Sequence, residues 1–162
     1  MSTQRPVYSI VAPVFNEEEG LSEFYRRTAS IMDGLDGSCE LLLIFDGSTD
    51  RSPEIGAALR EQDPRVKLIR FSRNFGHQIA ISAGIDYAEG DAVIIIDSDL
   101  QDPPEVIPDL VAKWREGYEI VYAQRAQREG ETFFKLLTAA VFYRVIRRLA
   151  SSIFLPIPAT SA

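Results

Sequence analysis

The 162-residue chain has one cysteine, Cys39, and one histidine, His77. A disulfide framework or a Cys-rich zinc module needs several cysteines, so both are excluded. Any Ser-His-Asp triad or histidine metal site has only His77 to build on, and neither a G-x-S-x-G elbow nor an H-x-x-x-H pair occurs. The absence of G-x-G-x-x-G and of G-x-x-x-x-G-K-[ST] argues against an ordinary dinucleotide site and a P-loop kinase. No uncharged stretch approaches the roughly 20 residues of a membrane span. The opening MSTQRPVYSIVAP lacks the apolar core of a signal peptide, and with one cysteine it predicts a reducing, cytosolic setting.

What is present is an average soluble composition, 46% hydrophobic and 25% charged, which excludes disorder and fibrous repeats. Net charge is −7 but unevenly spread. Residues 1–124 carry 11 Lys/Arg against 22 Asp/Glu, or −11, and residues 125–162 carry 6 against 2, or +4. An acidic body repels phosphate backbones, so no nucleic-acid partner is expected. A basic, apolar tail suits an anionic lipid surface, and equally a solvated helix face.

Short apolar runs alternate with helical patterns. Strands are expected at Tyr8–Ala12, Glu40–Phe45, Val66–Phe71, Ala92–Ile96 and Glu119–Ala123, with AVIII apolar enough to be the central strand. Helices are expected from Glu17 to about Met32, from a Ser52 cap with Pro53 at the first position to Gln62, over Gly76–Ala88, and over Pro104–Arg115. Strict β/α alternation implies an α/β fold, a mostly parallel sheet with helices on both faces. Ligands of such sheets sit beyond the carboxyl ends of the strands, and Asn16, Glu17, Asp46, Ser72-Arg73-Asn74, Asp97, Asp99 and Gln101 fall there. From about Thr132 to Leu149, FFKLLTAAVFYRVIRRL reads as a basic amphipathic helix at a membrane interface, or as a helix packed on the domain with its arginines snorkelling. The expected division is a domain over 1–131 and an interfacial helix and tail over 132–162, whose abrupt end reads as a truncation.

The sharpest chemical feature is Asp97-Ser98-Asp99 directly after a buried strand. Two carboxylates spaced in this way offer hard oxygens to Mg²⁺ or Mn²⁺, and unpaired carboxylates without such a role are costly there. Asp46 holds the same place on the neighbouring strand. It suits a nucleobase N–H, or it caps the turn that follows. Asp50 and Ser52 read as turn and cap residues.

The segments VAPVFNEEEG, FDGSTDRS, SRNFGHQIAISAGIDYAEGD and IIIDSDLQDPPEVI, in this order, resemble the family 2 glycosyltransferases with a GT-A fold. Within that family the NFGHQ and DSDLQDPPE segments are similar to the polyprenyl-phosphate sugar transferases, which include bactoprenol glucosyltransferases and dolichol-phosphate mannose synthases. The resemblance covers residues 7 to about 148. It implies that Pro13, Phe15 and Glu17 line a nucleotide pocket and that Asp46 bonds the base. By the same resemblance Asp97 faces ribose and diphosphate, Asp99 with Gln101 holds Mg²⁺ or Mn²⁺, and Arg125, Arg128 and Lys135 meet an acceptor phosphate. His77 and Gln78 match the motif, and helix-start packing accounts for them.

The activity so implied is inverting transfer of a hexose from a nucleotide diphosphate-sugar, UDP-glucose or GDP-mannose, to a polyprenyl phosphate. It implies a peripheral place on the cytosolic membrane face and, for a longer form, membrane helices. A lipid phosphate with a second pKa near ~6 is already largely a dianion, so no dedicated base is needed. This chain has Phe45 where the family usually has Asp or Asn, which predicts one lost polar contact near the nucleotide. It also stops before the family's later acceptor-site segment. Two alternatives follow: an inactive nucleotide-sugar-binding module, or a family 2 enzyme with a saccharide or protein acceptor.

Overall fold

A computed structural model of the chain describes residues 5–123. The elements are β1 (Tyr8–Val14), α1 (Leu21–Gly34), β2 (Cys39–Phe45), α2 (Ser52–Gln62), β3 (Val66–Arg70), α3 (His77–Tyr87) and β4 (Ala92–Ile95). A single 3-10 turn, Pro104–Val106, then leads into α4 (Ile107–Arg115). The four strands form one parallel sheet in the order β3-β2-β1-β4. Ile10 pairs with Leu41 on one side and with Ile94 on the other, which fixes the register of the centre.

Every residue of β1 and β2 is buried, because helices cover both faces of these strands. On one face Tyr8, Ile10, Ala12 and Val14 meet Leu41, Leu43 and Phe45 beneath α1, α2 and α4, through Phe24, Leu59, Ile107 and Val111. On the other face Val11, Leu42 and Ile44 pack against Ala80 of α3. Alternation of side chains along each strand sends neighbouring residues to opposite layers. This is the expected α/β layering.

Glu40 is the one acid inside these strands, 3% exposed at the start of β2. Burial alone pushes its pKa up, but the Lys67 ammonium at 2.7 Å, the Ser9 hydroxyl at 2.5 Å and the Glu89 amide at 2.8 Å outweigh burial and hold it low. This charged network closes the amino-terminal end of the sheet and leaves the carboxyl end for ligands.

Several expectations need correction. The central strand is β1, not the AVIII run: β4 lies at the sheet edge among the described residues, with Val93 and Ile95 40% and 46% exposed. Hydropathy reports how apolar a run is, whereas strand order depends on where each crossover returns. After β3 the chain crosses back over β2 and β1, so the order reverses between β1 and β4. The expected strand Glu119–Ala123 is not a strand. The run is apolar and rich in strand-favouring residues, but no described strand pairs with it, and Ile120 and Tyr122 are 86% and 79% exposed. The expected boundary at 131/132 and the helix at Thr132–Leu149 lie outside the described residues. Among those described, no helix is long and apolar enough to cross a membrane.

Two helix starts also differ. α1 begins at Leu21 rather than Glu17, and the Glu17 and Glu18 amides before it donate to Ser52 Oγ at 2.8 Å and Asp50 Oδ2 at 2.9 Å, which ties this segment to the loop after β2. Ser52 is therefore not the cap of α2. The cap position is Arg51, which makes no side-chain cap, while Asp50 Oδ1 accepts the Ser52 amide at 3.0 Å and the Ser52 hydroxyl at 2.6 Å.

Phe45 is buried against α2 and is not among the residues that line the cleft described below. It explains a glycine in mid-helix, because a Cβ on Gly56 would sit 2.4 Å from Phe45 Cζ. Gly56→Ala is expected to destabilise the fold by about 1–3 kcal/mol through overpacking, despite alanine's better helix propensity. Urea unfolding would measure this, and the combination with Phe45→Leu should recover most of the loss.

Candidate functional site

A cleft of about 400 Å³ opens at the carboxyl ends of β1, β2 and β4. Its lining brings together Pro13 and Phe15 at the end of β1, Glu17 beyond them, Asp46 after β2, and Asp97, Ser98 and Asp99 after β4. From the β3–α3 connection come Asn74, Gly76 and His77. All six cleft residues expected from the sequence thus converge from three separate loops. Gln101 is beside them rather than in the lining: its amide donates to Asp99 Oδ1 at 2.9 Å. Arg125, Arg128 and Lys135 lie outside the described residues.

Asp46 is nearly fully buried, and its two oxygens accept the amides of Phe75 at 2.7 Å and Gly76 at 2.9 Å. The expectation that it caps the turn after β2 is wrong; it reaches across to anchor the start of α3. Gly47 makes that approach possible. It has φ +70°, and a Cβ there would lie 2.3 Å from the Arg73 carbonyl carbon and the Asn74 nitrogen. Asp46 therefore has a structural task as well as a place in the cleft, and each oxygen keeps a second lone pair for a ligand.

The β4 end is shaped by backbone strain. Leu100 has φ 62°, a left-handed conformation that is unfavourable for leucine. Its half-buried side chain packs on the core while the chain reverses so that Asp99 bonds the Gln101 amide. Ser98 Oγ donates to the Pro13 carbonyl at 2.8 Å and ties this turn to β1. On the other side of Pro13, Asn16 also has positive φ, 56°, and its Oδ1 accepts the Thr49 amide at 2.8 Å. The loops after β1, β2 and β4 are thus bonded to each other rather than simply adjacent.

Electrostatically one wall is acidic. Burial, then the charges of Asp99 and Asp50, raise the Glu17 pKa above the ordinary carboxylate range. Hard oxygens that repel one another are the chemistry a divalent cation relieves, so Mg²⁺ or Mn²⁺ fits this wall. Among the described residues no three His, Cys, Asp or Glu side chains are grouped to cage an ion by themselves. That suits an ion held by one or two carboxylates and completed by water and phosphate oxygens.

The opposite wall contains a residue that the sequence reading undervalues. His77 is not packed at the helix start: its side chain is 52% exposed and lines the cleft, with Nε2 3.5 Å from Asp97 Oδ1. Asn74, Gly76 and Ser98 also line the cleft. Their sequence signal is position alone, directly beyond strand ends.

The description "glycosyl transferase family 2" matches residues 9–158. The chain is 60% identical over 142 residues, 86% of its length, to an uncharacterized glycosyltransferase of Bacillus subtilis, YkcC, and covers 43% of that protein. It is 43% identical over 143 residues, 88% of its length, to the bactoprenol glucosyl transferase of Shigella phage SfV, covering 47% of it. It therefore spans less than half the length of these curated relatives. Among solved structures, the UDP complex of glucosyl-3-phosphoglycerate synthase from Mycobacterium tuberculosis matches 74% of the chain and 46% of its own length, at 26% identity and a TM-score of 0.56. The layered sheet described above is accordingly a GT-A fold.

The raised Glu17 pKa has a defined consequence for stability. A carboxyl that holds its proton more tightly in the folded state favours folding at low pH, and that advantage is lost as pH rises through the folded-state value. Glu17→Gln is expected to equal or exceed wild-type stability at pH 7, with the difference disappearing by about pH 4. Urea midpoints across that range check the sign.

Proposed function

This chain belongs to glycosyl transferase family 2, and on that premise we propose that it forms the donor-binding part of a polyprenyl-phosphate hexosyltransferase. The donor is a nucleotide diphosphate-sugar, UDP-glucose first and GDP-mannose second. The acceptor is a polyprenyl phosphate presented at the cytosolic face of a membrane. The observation that carries this reading is the 43% identity over 143 residues to the bactoprenol glucosyl transferase, with a family match over residues 9–158 that includes every lining residue of the cleft.

In this reading Pro13, Phe15 and Glu17 flank the nucleoside, and Asp46 offers its remaining lone pairs to a base N–H while bracing α3. Asp97 faces the ribose and diphosphate. Asp99, with Gln101 beside it, holds Mg²⁺ or Mn²⁺. When bound, the ion supplies Lewis-acid stabilisation of the charge on the departing diphosphate. An oxygen of the acceptor phosphate attacks the sugar C1 and forms a new C–O bond. The bond from C1 to the diphosphate oxygen breaks from the opposite face, its electron pair leaving with the nucleoside diphosphate. One displacement gives inversion at C1. The attacking phosphate is already a dianion at neutral pH, so no side chain has to remove a proton. Catalysis then rests on positioning and charge stabilisation. Arg125, with Arg128 and Lys135, is assigned to the acceptor phosphate.

Asp99→Asn is expected to abolish metal-dependent donor binding. Calorimetric titration of UDP-glucose and GDP-mannose, with Mn²⁺ and again with chelator, measures it, and unchanged binding removes Asp99 from the metal site. Arg125→Ala is expected to weaken use of polyprenyl phosphate at least about tenfold, the scale of one charge-assisted hydrogen bond, while nucleotide affinity stays the same. Equal loss of both would contradict its assignment.

A further inference from the structure

The cleft has a charge imbalance that the roles assigned so far leave open. Glu17, Asp46, Asp97 and Asp99 all line it, yet the donor they are to hold carries a diphosphate. Apart from a cation, the side chains among the described lining residues that can donate a hydrogen bond are those of Asn74, His77 and Ser98. Ser98 is buried and its hydroxyl is committed to the Pro13 carbonyl, leaving Asn74 and His77. Of these, His77 has an acceptor at hand: Nε2 stands 3.5 Å from Asp97 Oδ1, longer than a hydrogen bond, with both side chains about half exposed. An ionised carboxylate only accepts, so it favours the imidazole with its proton on Nε2.

We propose that His77 is a catalytic residue of this site, its Nε2–H donating to a non-bridging oxygen of the donor's β-phosphate, the phosphate bonded to the sugar. Before the donor enters, the nearest carboxylate oxygen to Nε2 that the structure shows is Asp97 Oδ1, at 3.5 Å. A diphosphate oxygen arriving between them gives the N–H a closer partner. As the C1–O bond breaks and the diphosphate gains the electron pair, the hydrogen bond strengthens without any proton having to move. His77 would then add a hydrogen bond to the leaving group beside whatever charge stabilisation a cation held at Asp99 would supply. The position is fixed from behind, because Asp46 holds the Phe75 and Gly76 amides immediately before His77. A substrate with one phosphate fewer leaves His77 with no ligand oxygen to reach, so the residue selects for diphosphates.

This inference rests on the nucleotide-sugar reading above, and the test separates the two. The probes are UDP against UMP and GDP against GMP, titrated into the full chain with Mn²⁺, for the wild type and His77→Ala. The expected result is that the preference for diphosphate over monophosphate falls about tenfold in His77→Ala while monophosphate affinity changes less than about twofold. Equal loss for both phosphate lengths assigns His77 to packing and overturns the proposal, as does an unchanged preference. Thermal unfolding of the same samples shows whether the variant is folded, and if it is not, His77→Gln is titrated in its place with the same criteria. A wild type that binds none of the four nucleotides overturns the nucleotide-sugar reading, and the role of His77 with it. A wild type that binds while His77→Ala keeps its diphosphate preference overturns only the role of His77.

Discussion

Asp46 sits at the end of β2 with its carboxylate out of water and both oxygens on the amides of Phe75 and Gly76. A buried carboxylate without partners is expensive, and two backbone amides without acceptors are little better, so each side fixes the other. The contact is available only because Gly47, at φ +70°, has no Cβ where the backbone of Arg73 and Asn74 passes. From this pairing follow the direction of α3, the position of His77 over the cleft, and the close seat of α3 on the sheet. That seat is itself tight: a Cβ on Gly84 would lie 2.2 Å from Val11 Cγ1. The α3 wall of the site is thus held at both ends, by charge at the cleft and by shape on the sheet.

The acidic wall is held differently. Its loops share hydrogen bonds: Asp50 serves Glu18 and Ser52, Ser52 serves Glu17, and Ser98 reaches Pro13. What remains unbalanced is the carboxylate charge itself, visible in the upward shift of Glu17 beside Asp99 and Asp50. A divalent cation would offset that charge and so let an anionic diphosphate approach the wall. Such a site needs no preformed cage, because substrate oxygens complete the coordination.

The topology explains why this cleft lies where it does. The strand order reverses after β3, where α3 crosses to the face opposite α1, α2 and α4, so the loop leaving β3 and the loops leaving β1, β2 and β4 bound the crevice from different faces. The opposite end of the sheet is closed by the Glu40–Lys67–Ser9 network, which spends its charge internally. One end of the sheet stabilises itself, and the other keeps polar groups for a ligand.

The sequence by itself determined the α/β class, the positions of the four observed strands and of the helices to within a few residues, the family, and the cleft residues Pro13, Phe15, Glu17, Asp46, Asp97 and Asp99. These are legible because side-chain period and residue type at strand ends are local properties. Only the tertiary structure decided that β1 and not the AVIII run is central, that Phe45 turns into the core against Gly56, that Asp46 anchors α3 rather than the turn beside it, and that His77 faces Asp97. Each of these joins residues about ten or more positions apart through a crossover or a close backbone approach. A local pattern carries no information about which distant segment will arrive, because that is set by the packing of whole elements.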